Sequence, residues 1–207
     1  LWVKLVIAMH DRYSLGCWAC DGYQKELNLT CAPAKHKKCG PGVNDASKFY
    51  KLDAAISYFD QRLEYILNYR NPLMGNKTWG ELKEVVAMFE VQNEAQGLDP
   101  EPWATNWHCG RAKVMKKFIK DPAILVGTGG GRTFKESTLL ENFQCEEIDV
   151  ITLHDYKASN WTAVWNGLKN AKTLSLRYDK KVIHEEFGSK VRYYRPDYMF
   201  SVITAAG

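Results

Sequence analysis

Val85-Val86-Ala87-Met88-Phe89-Glu90-Val91-Gln92-Asn93-Glu94 is the stretch that decides the fold. An apolar run, 85–92, stops at the polar pair Asn93-Glu94. A parallel strand buried on both faces reads as such a continuous run rather than as an alternation. Four further runs follow the same grammar. Leu1–Met9 ends at His10, Ala123–Gly127 enters a glycine cluster, Ile148–Leu153 ends at His154, and Lys181–His184 ends at Glu185-Glu186.

Helical stretches fill the intervals. From Asp45 to Tyr69 the residues Phe49, Leu52, Ile56, Phe59, Leu63, Ile66 and Leu67 form an apolar stripe, with Asp45 as N-cap and a stop near Pro72. Thr78-x-x-Glu81 has the form of a capping box. Further helices are predicted over Trp103–Lys120, Trp161–Leu174 and Pro196–Ala206. Strand and helix in alternation predict βα units around a parallel sheet. The fold class is therefore α/β, read as part of a (β/α)8 barrel, with residues 1–207 in one domain.

In such folds ligands bind at the C-terminal ends of the strands. His10, Asn93, Glu94, His154, Tyr156 and Glu186 all fall there. Glu94 and Glu186 stand 92 residues apart. At roughly 31 residues per βα unit of a ~250-residue barrel, that is about three strands, nearly across the barrel mouth. Two carboxyls converging on one saccharide suit acid–base and nucleophilic chemistry at a glycosidic bond. Taken singly, each group has a plainer reading: Glu94 as an acid at a helix N-terminus, Glu185-Glu186 as a solvated pair, His154 as a core histidine.

Composition narrows the rest. The 207 residues are 45% hydrophobic, enough for one sizeable core. The net charge of +4 comes from mixed signs, and there is neither a basic face nor a recognition motif to suggest nucleic acid. The longest apolar stretch, 199–206, is too short to span a bilayer. The chain opens inside an apolar run, as a piece of a longer polypeptide would. Six cysteines (Cys17, Cys20, Cys31, Cys39, Cys109, Cys145) and three sequons, at Asn28, Asn76 and Asn160, favour a secreted, disulfide-bonded glycoprotein. The spacing around Cys17-x-x-Cys20 fits zinc less well than disulfides, and fifteen pairings are open. Asp11–Asn44, holding four of the cysteines, reads as a stapled loop. Gly129-Gly130-Gly131 lacks the Gly-Lys-Ser/Thr of a phosphate loop and reads as a tight turn at a strand end.

These motifs resemble the superfamily of retaining glycosidases that contains glycoside hydrolase family five. Val91-Gln92-Asn93-Glu94 resembles the Asn-Glu closing that barrel's fourth strand, and His184-Glu185-Glu186-Phe187-Gly188 resembles the Glu-Phe-Gly of its seventh. The resemblance implies that Glu94 is the acid/base and that Glu186, rather than Glu185, is the nucleophile. His154-Asp155-Tyr156 is similar to the strand-six His-x-Tyr, whose tyrosine bonds the nucleophile and whose histidine lies near the acid/base. His10 would line the sugar subsite at strand three, and Asn93 would bind the sugar 2-hydroxyl. The resemblance thus implies that residues 1–207 run from strand three to the helix after strand seven, a catalytic domain incomplete at both ends. Secreted fungal members of cellulase-like or mannanase-like type are similar, and they imply Cys17–Cys31 and Cys109–Cys145, with Cys20–Cys39.

Among the aromatics, Trp107 and Trp161 follow strands most closely and are the preferred sugar platforms. The reading is a monomeric, endo-acting retaining hydrolase of a β-1,4-linked polysaccharide, mannan or a cellulose-like glucan, needing no cofactor or metal. A non-catalytic carbohydrate-binding protein on the same scaffold is the alternative. An unrelated α/β module, such as a phosphate-binding enzyme using the triple glycine, is a third reading.

Overall fold

A computed structural model describes residues 3–9, 47–95, 106–156 and 161–188. Strands β1 (Leu5–Ala8), β4 (Val86–Glu90), β5 (Leu125–Gly127), β6 (Val150–Asp155) and β7 (Lys181–Phe187) form one parallel sheet in that order. Two-residue strands β2 (Arg70–Asn71) and β3 (Lys77–Thr78) make a separate small hairpin. The large sheet curls into half of a (β/α)8 barrel with helices flanking it. All five apolar runs of the sequence therefore become neighbouring strands. β4 shows why its sequence is continuous: Val86, Met88 and Phe89 are all buried, with helices on one side and the barrel interior on the other.

The helices are α1 (Ser47–Lys51), α2 (Asp53–Asn68), α3 (Trp107–Phe118), α4 (Phe134–Ser137), α5 (Leu140–Gln144) and α6 (Trp161–Tyr178). The predicted helix over 45–69 is broken at Leu52, whose extended backbone (ψ 125°) leaves its side chain 39% exposed. Downstream of that break, Ala55, Phe59, Leu63 and Leu67 recur every fourth residue and carry the buried face. Each such large side chain contributes about 1.5–3 kcal/mol of burial. Short helices α4 and α5 occupy the connection that follows the glycine cluster. Four or five residues are too few to show a helical period in sequence.

Polar pins tie the layers together. Thr78 and Glu81 form the capping box, the carboxylate receiving the Thr78 N–H at 2.8 Å. Asp149 accepts from the Val126 N–H at 2.7 Å and from Lys116 Nζ at 2.5 Å, joining β5, the start of β6 and α3. Arg111 of α3 clasps Asp60 of α2. Cys109 and Cys145 form a disulfide, with Cα atoms 5.7 Å apart, between α3 and the end of α5. Cys17, Cys20, Cys31 and Cys39 lie outside the described residues. No helix among the described residues is long and apolar enough to cross a membrane.

Candidate active site

The C-terminal ends of β4, β6 and β7 carry a cluster of one imidazole and four carboxyl groups, with His154 and Glu90 buried and Glu94, Glu185 and Glu186 half-buried. After β4 the chain turns sharply. The Asn93 N–H donates to Met9 O at 2.7 Å and the Glu94 N–H to Gly129 O at 2.8 Å. The turn is thereby sewn to the strand ends on both sides. Glu94 itself sits at φ 45°, a left-handed conformation uncommon away from glycine. Such a conformation costs of order 1–3 kcal/mol and persists only where its surroundings enforce it, often at functional sites.

His154, the fifth residue of β6, is the hub and is 1% exposed. Its Nδ1 lies 3.5 Å from Glu94 Oε1 and 3.6 Å from Glu186 Oε2, and its Nε2 lies 3.5 Å from Glu185 Oε2. Burial disfavours charge on this ring, but Glu185, Glu94 and Glu186 outweigh it and raise the imidazole pKa to about 9. The ring is an imidazolium at neutral pH.

Neighbouring residues on a strand ordinarily face opposite ways. Glu185 and Glu186 nevertheless both reach His154, because β7 bulges there: Leu153 pairs with His184, whereas His154 pairs with Glu186. The extra residue turns both carboxylates toward one ring. Tyr156, 42% exposed, donates its hydroxyl to Glu186 Oε2 at 3.1 Å. Burial and the adjacent Glu186 carboxylate raise the Tyr156 pKa, so the phenol remains a donor.

One carboxylate oxygen of Glu94, one of Glu186 and a nitrogen of His154 all lie within 4.8 Å of one another. The nearest carboxylate oxygens of the two glutamates are thus close enough for one small ligand to touch both. The same trio has the donor types of a metal site. Cys109, Cys145 and Glu147 also cluster, with both sulfurs committed to the disulfide.

The other sequence-derived candidates divide. Asn93 is half-buried in the turn beside Glu94. His10 lies outside the described residues, as do Asn28 and Asn160, and so does the side chain of Trp161. Asn76 is exposed on a left-handed turn at φ 58°. Trp107 requires correction as a sugar platform. It is 3% exposed and packs among Phe49, Tyr50 and Phe59, with the Arg111 guanidinium 5.6 Å from its ring. Its place at the start of α3 turns it into the core between that helix and α2.

Two further carboxyls, Glu185 and Glu90, join the cluster although neither is a candidate in the sequence. Glu185 reads in sequence as the mere neighbour of Glu186, and Glu90 as part of a strand. The signal for Glu90 is a lone acid inside an otherwise apolar run. It is 2% exposed on β4, and burial, with the Glu185 carboxylate next, raises its pKa to about 9.

No family model matches the chain, and no curated protein does. Among solved structures it is similar to the hyperthermostable endo-1,4-β-D-mannanase of Thermotoga petrophila RKU-1, with a TM-score of 0.59 and 16% identity over 79% of this chain and 55% of that one. A second structure of an endo-β-1,4-mannanase from Thermotoga petrophila is similar with a TM-score of 0.60 and 16% identity, over 79% of this chain and 42% of that one. The chain spans about half the length of these structures. At this identity the likeness establishes the fold: β1 and β4–β7 with their helices are part of a (β/α)8 barrel.

Proposed function

We propose that the chain is the central part of the catalytic domain of a retaining, endo-acting glycoside hydrolase that cleaves a β-1,4-linked polysaccharide. The observation that carries this reading is the approach of Glu94 and Glu186 to within 4.8 Å at the C-terminal mouth of a half-barrel. Protonated Glu94 gives its proton to the glycosidic oxygen as the C–O bond breaks, and the Glu186 carboxylate bonds to the anomeric carbon. Glu94, now ionised, takes a proton from water, whose oxygen displaces Glu186 and restores both groups. Tyr156 holds one oxygen of Glu186 while the other attacks. His154 lies beside both carboxyl groups, its Nδ1 3.5 Å from Glu94 Oε1 and 3.6 Å from Glu186 Oε2. His10, Asn93 and Trp161 bind the sugar in this reading.

Mannan stands first among substrates because both similar structures are endo-mannanases, with cellulose-like glucan next. The Cys109–Cys145 disulfide supports a secreted protein, and Asn28, Asn76 and Asn160 are its proposed glycosylation sites. The enzyme acts as a monomer on its polysaccharide, without cofactor.

The test is reducing-sugar release from mannan, glucan, xylan and galactan by the full-length polypeptide, with Glu186→Ala and Glu94→Ala beside it. Glu186→Ala should abolish turnover. Glu94→Ala should slow it and recover in part with azide, which needs no proton to attack. Full activity in Glu186→Ala would end the proposal. Tight oligosaccharide retention without cleavage by the unaltered protein would favour the binding-protein alternative.

A further inference from the structure

We propose that Glu90 and Glu185 share one proton beneath the site and act as positioning residues, fixing the His154 ring so that its Nδ1 faces both Glu94 and Glu186. This rests on the glycosidase reading for its functional meaning, but the arrangement stands on its own geometry.

Glu90 lies at the buried end of β4, opposite Gly127 in register, with a Cβ at Gly127 only 3.5 Å from the Glu90 Cγ. That Cβ would also stand 2.7 Å from Met88 Sδ, so the missing side chain on β5 leaves room for both Met88 and Glu90 on the way toward β6. There its carboxyl meets Glu185 and the Thr152 hydroxyl. Thr152 is itself anchored, receiving the Gly129 N–H at 2.8 Å and lying 3.1 Å from the Thr128 hydroxyl. Glu90 Oε1 is buried with no hydrogen-bond partner. An ionised carboxylate so placed would carry a large desolvation penalty. A neutral acid that donates to Glu185 through its other oxygen avoids that cost.

Glu185 is the complementary member. Burial opposes its charge, yet His154 and Glu90 hold its pKa below the ordinary value. It therefore stays ionised, with a donor on each side: the Glu90 acid below and His154 Nε2 at 3.5 Å above. The ring has little other freedom. A Cβ on Gly130 would lie 2.4 Å from the His154 Cδ2, so this glycine packs directly against the imidazole. The titratable groups around His154 are Glu94 from the β4 turn, Glu185 and Glu186 from β7, and Glu90 from β4 behind Glu185. Tyr156 stands across Glu186, and His184 on β7 is kept neutral by burial and by His154 itself, its pKa lowered to about 4.

The experiment uses the full-length protein labelled with 15N-histidine. Long-range 1H–15N spectra follow His154 from pH 5 to 10, the signal being assigned by its loss in His154→Asn. Glu185→Gln should lower the His154 midpoint by at least about one unit. Glu90→Gln keeps a donor where the acid was and should leave the midpoint within about half a unit, whereas Glu90→Leu should lower it. An unmoved midpoint in Glu185→Gln overturns the proposal, as does a Glu90→Gln midpoint that falls as far as that of Glu185→Gln.

Should Glu185→Gln fail to fold, infrared spectra of the unaltered protein at pH 7 decide. A protonated-carboxyl stretch that Glu90→Gln removes supports the shared proton, and its absence overturns it. In hydrolysis, Glu185→Gln should lower kcat about tenfold at unchanged KM and move the alkaline limb to lower pH. Loss of the His154 response in an active enzyme removes the positioning pair alone. The His154 response in a protein that hydrolyses no glycan removes the glycosidase reading alone.

Discussion

Gly130 lies against the face of His154 so closely that an added Cβ would stand 2.4–2.6 Å from three ring atoms, Cδ2, Cγ and Nε2. The ring cannot retreat, since Glu185 holds one nitrogen and Glu94 and Glu186 flank the other. Gly130 also sits at φ 66°, a conformation that alanine resists. Gly130→Ala should destabilise the fold by about 2–4 kcal/mol, combining the left-handed backbone with overpacking. It should also displace His154, so that activity falls further than stability alone explains. Thermal melts and hydrolysis rates of the same samples check this, and a variant with unaltered melting and turnover would contradict the contact.

Tyr156 and Glu186 are joined by one hydrogen bond of 3.1 Å at the open side of the cluster. Removing the hydroxyl leaves the carboxylate to water, because Tyr156 is 42% exposed. Stability should then change by no more than about 0.5 kcal/mol. In the proposed mechanism the other oxygen of Glu186 attacks, so without the hydroxyl the carboxylate is free to rotate, and Tyr156→Phe should lower kcat about tenfold with KM little changed. A kcat within about twofold of the unaltered enzyme would mean that the bond does not orient the nucleophile.

Glu94 and Glu186 are legible in the sequence for a physical reason. Parallel strands expose their chemistry where the apolar run stops, and both residues follow such a stop. His154 and Tyr156 are legible in the same way. Trp107 misleads because distance along the chain from a strand end does not say which way the next helix faces, and α3 turns that indole into the core. Glu185 is hidden by the rule that adjacent strand residues point apart, which the β7 bulge breaks. Glu90 is hidden because a continuous apolar run invites the same assignment, core packing, for every residue in it. The break at Leu52 and the short helices α4 and α5 leave no periodic signal at all.

The Cys109–Cys145 bridge closes 36 residues of sequence. That segment contains α3, β5, the glycine turn, α4 and α5, so the bridge restrains much of the scaffold behind the site. Constraint of the unfolded chain by a loop of this length amounts to about 2–4 kcal/mol. The double variant Cys109→Ser/Cys145→Ser should lose about that much in a denaturant melt, with the slope of the transition informative about changes in the unfolded state. Cys145 is 4% exposed, so the serine hydroxyl left there adds to the loss. A midpoint unchanged by the double substitution would show that the bridge constrains nothing the fold has not already fixed.

Four groups with large pKa shifts, three buried and His184 half-buried, pull the pH dependence of stability in opposite senses. His108 and His184 have pKa values lowered to about 4, mainly by burial. Their folded forms bind fewer protons than the unfolded chain, so their contribution is present above about 6.5 and is lost as pH falls toward 4. His154 and Glu90 have pKa values raised to about 9. Their folded forms keep protons that the unfolded chain has released, so their contributions are complete at low pH. That of Glu90 declines from about 4.5 upward and that of His154 from about 6.5, both until pH 9 is passed. Between 4.5 and 6.5 the two depressed histidines outweigh Glu90 and stability rises with pH; between 6.5 and 9 both raised groups act together and it falls. Melting temperature should therefore peak near pH 6.5. Glu90→Gln, which cannot ionise, should shallow the alkaline decline and steepen the acid rise. A melting temperature that keeps climbing from pH 6.5 to 9 would mean that neither His154 nor Glu90 holds its proton in the folded protein.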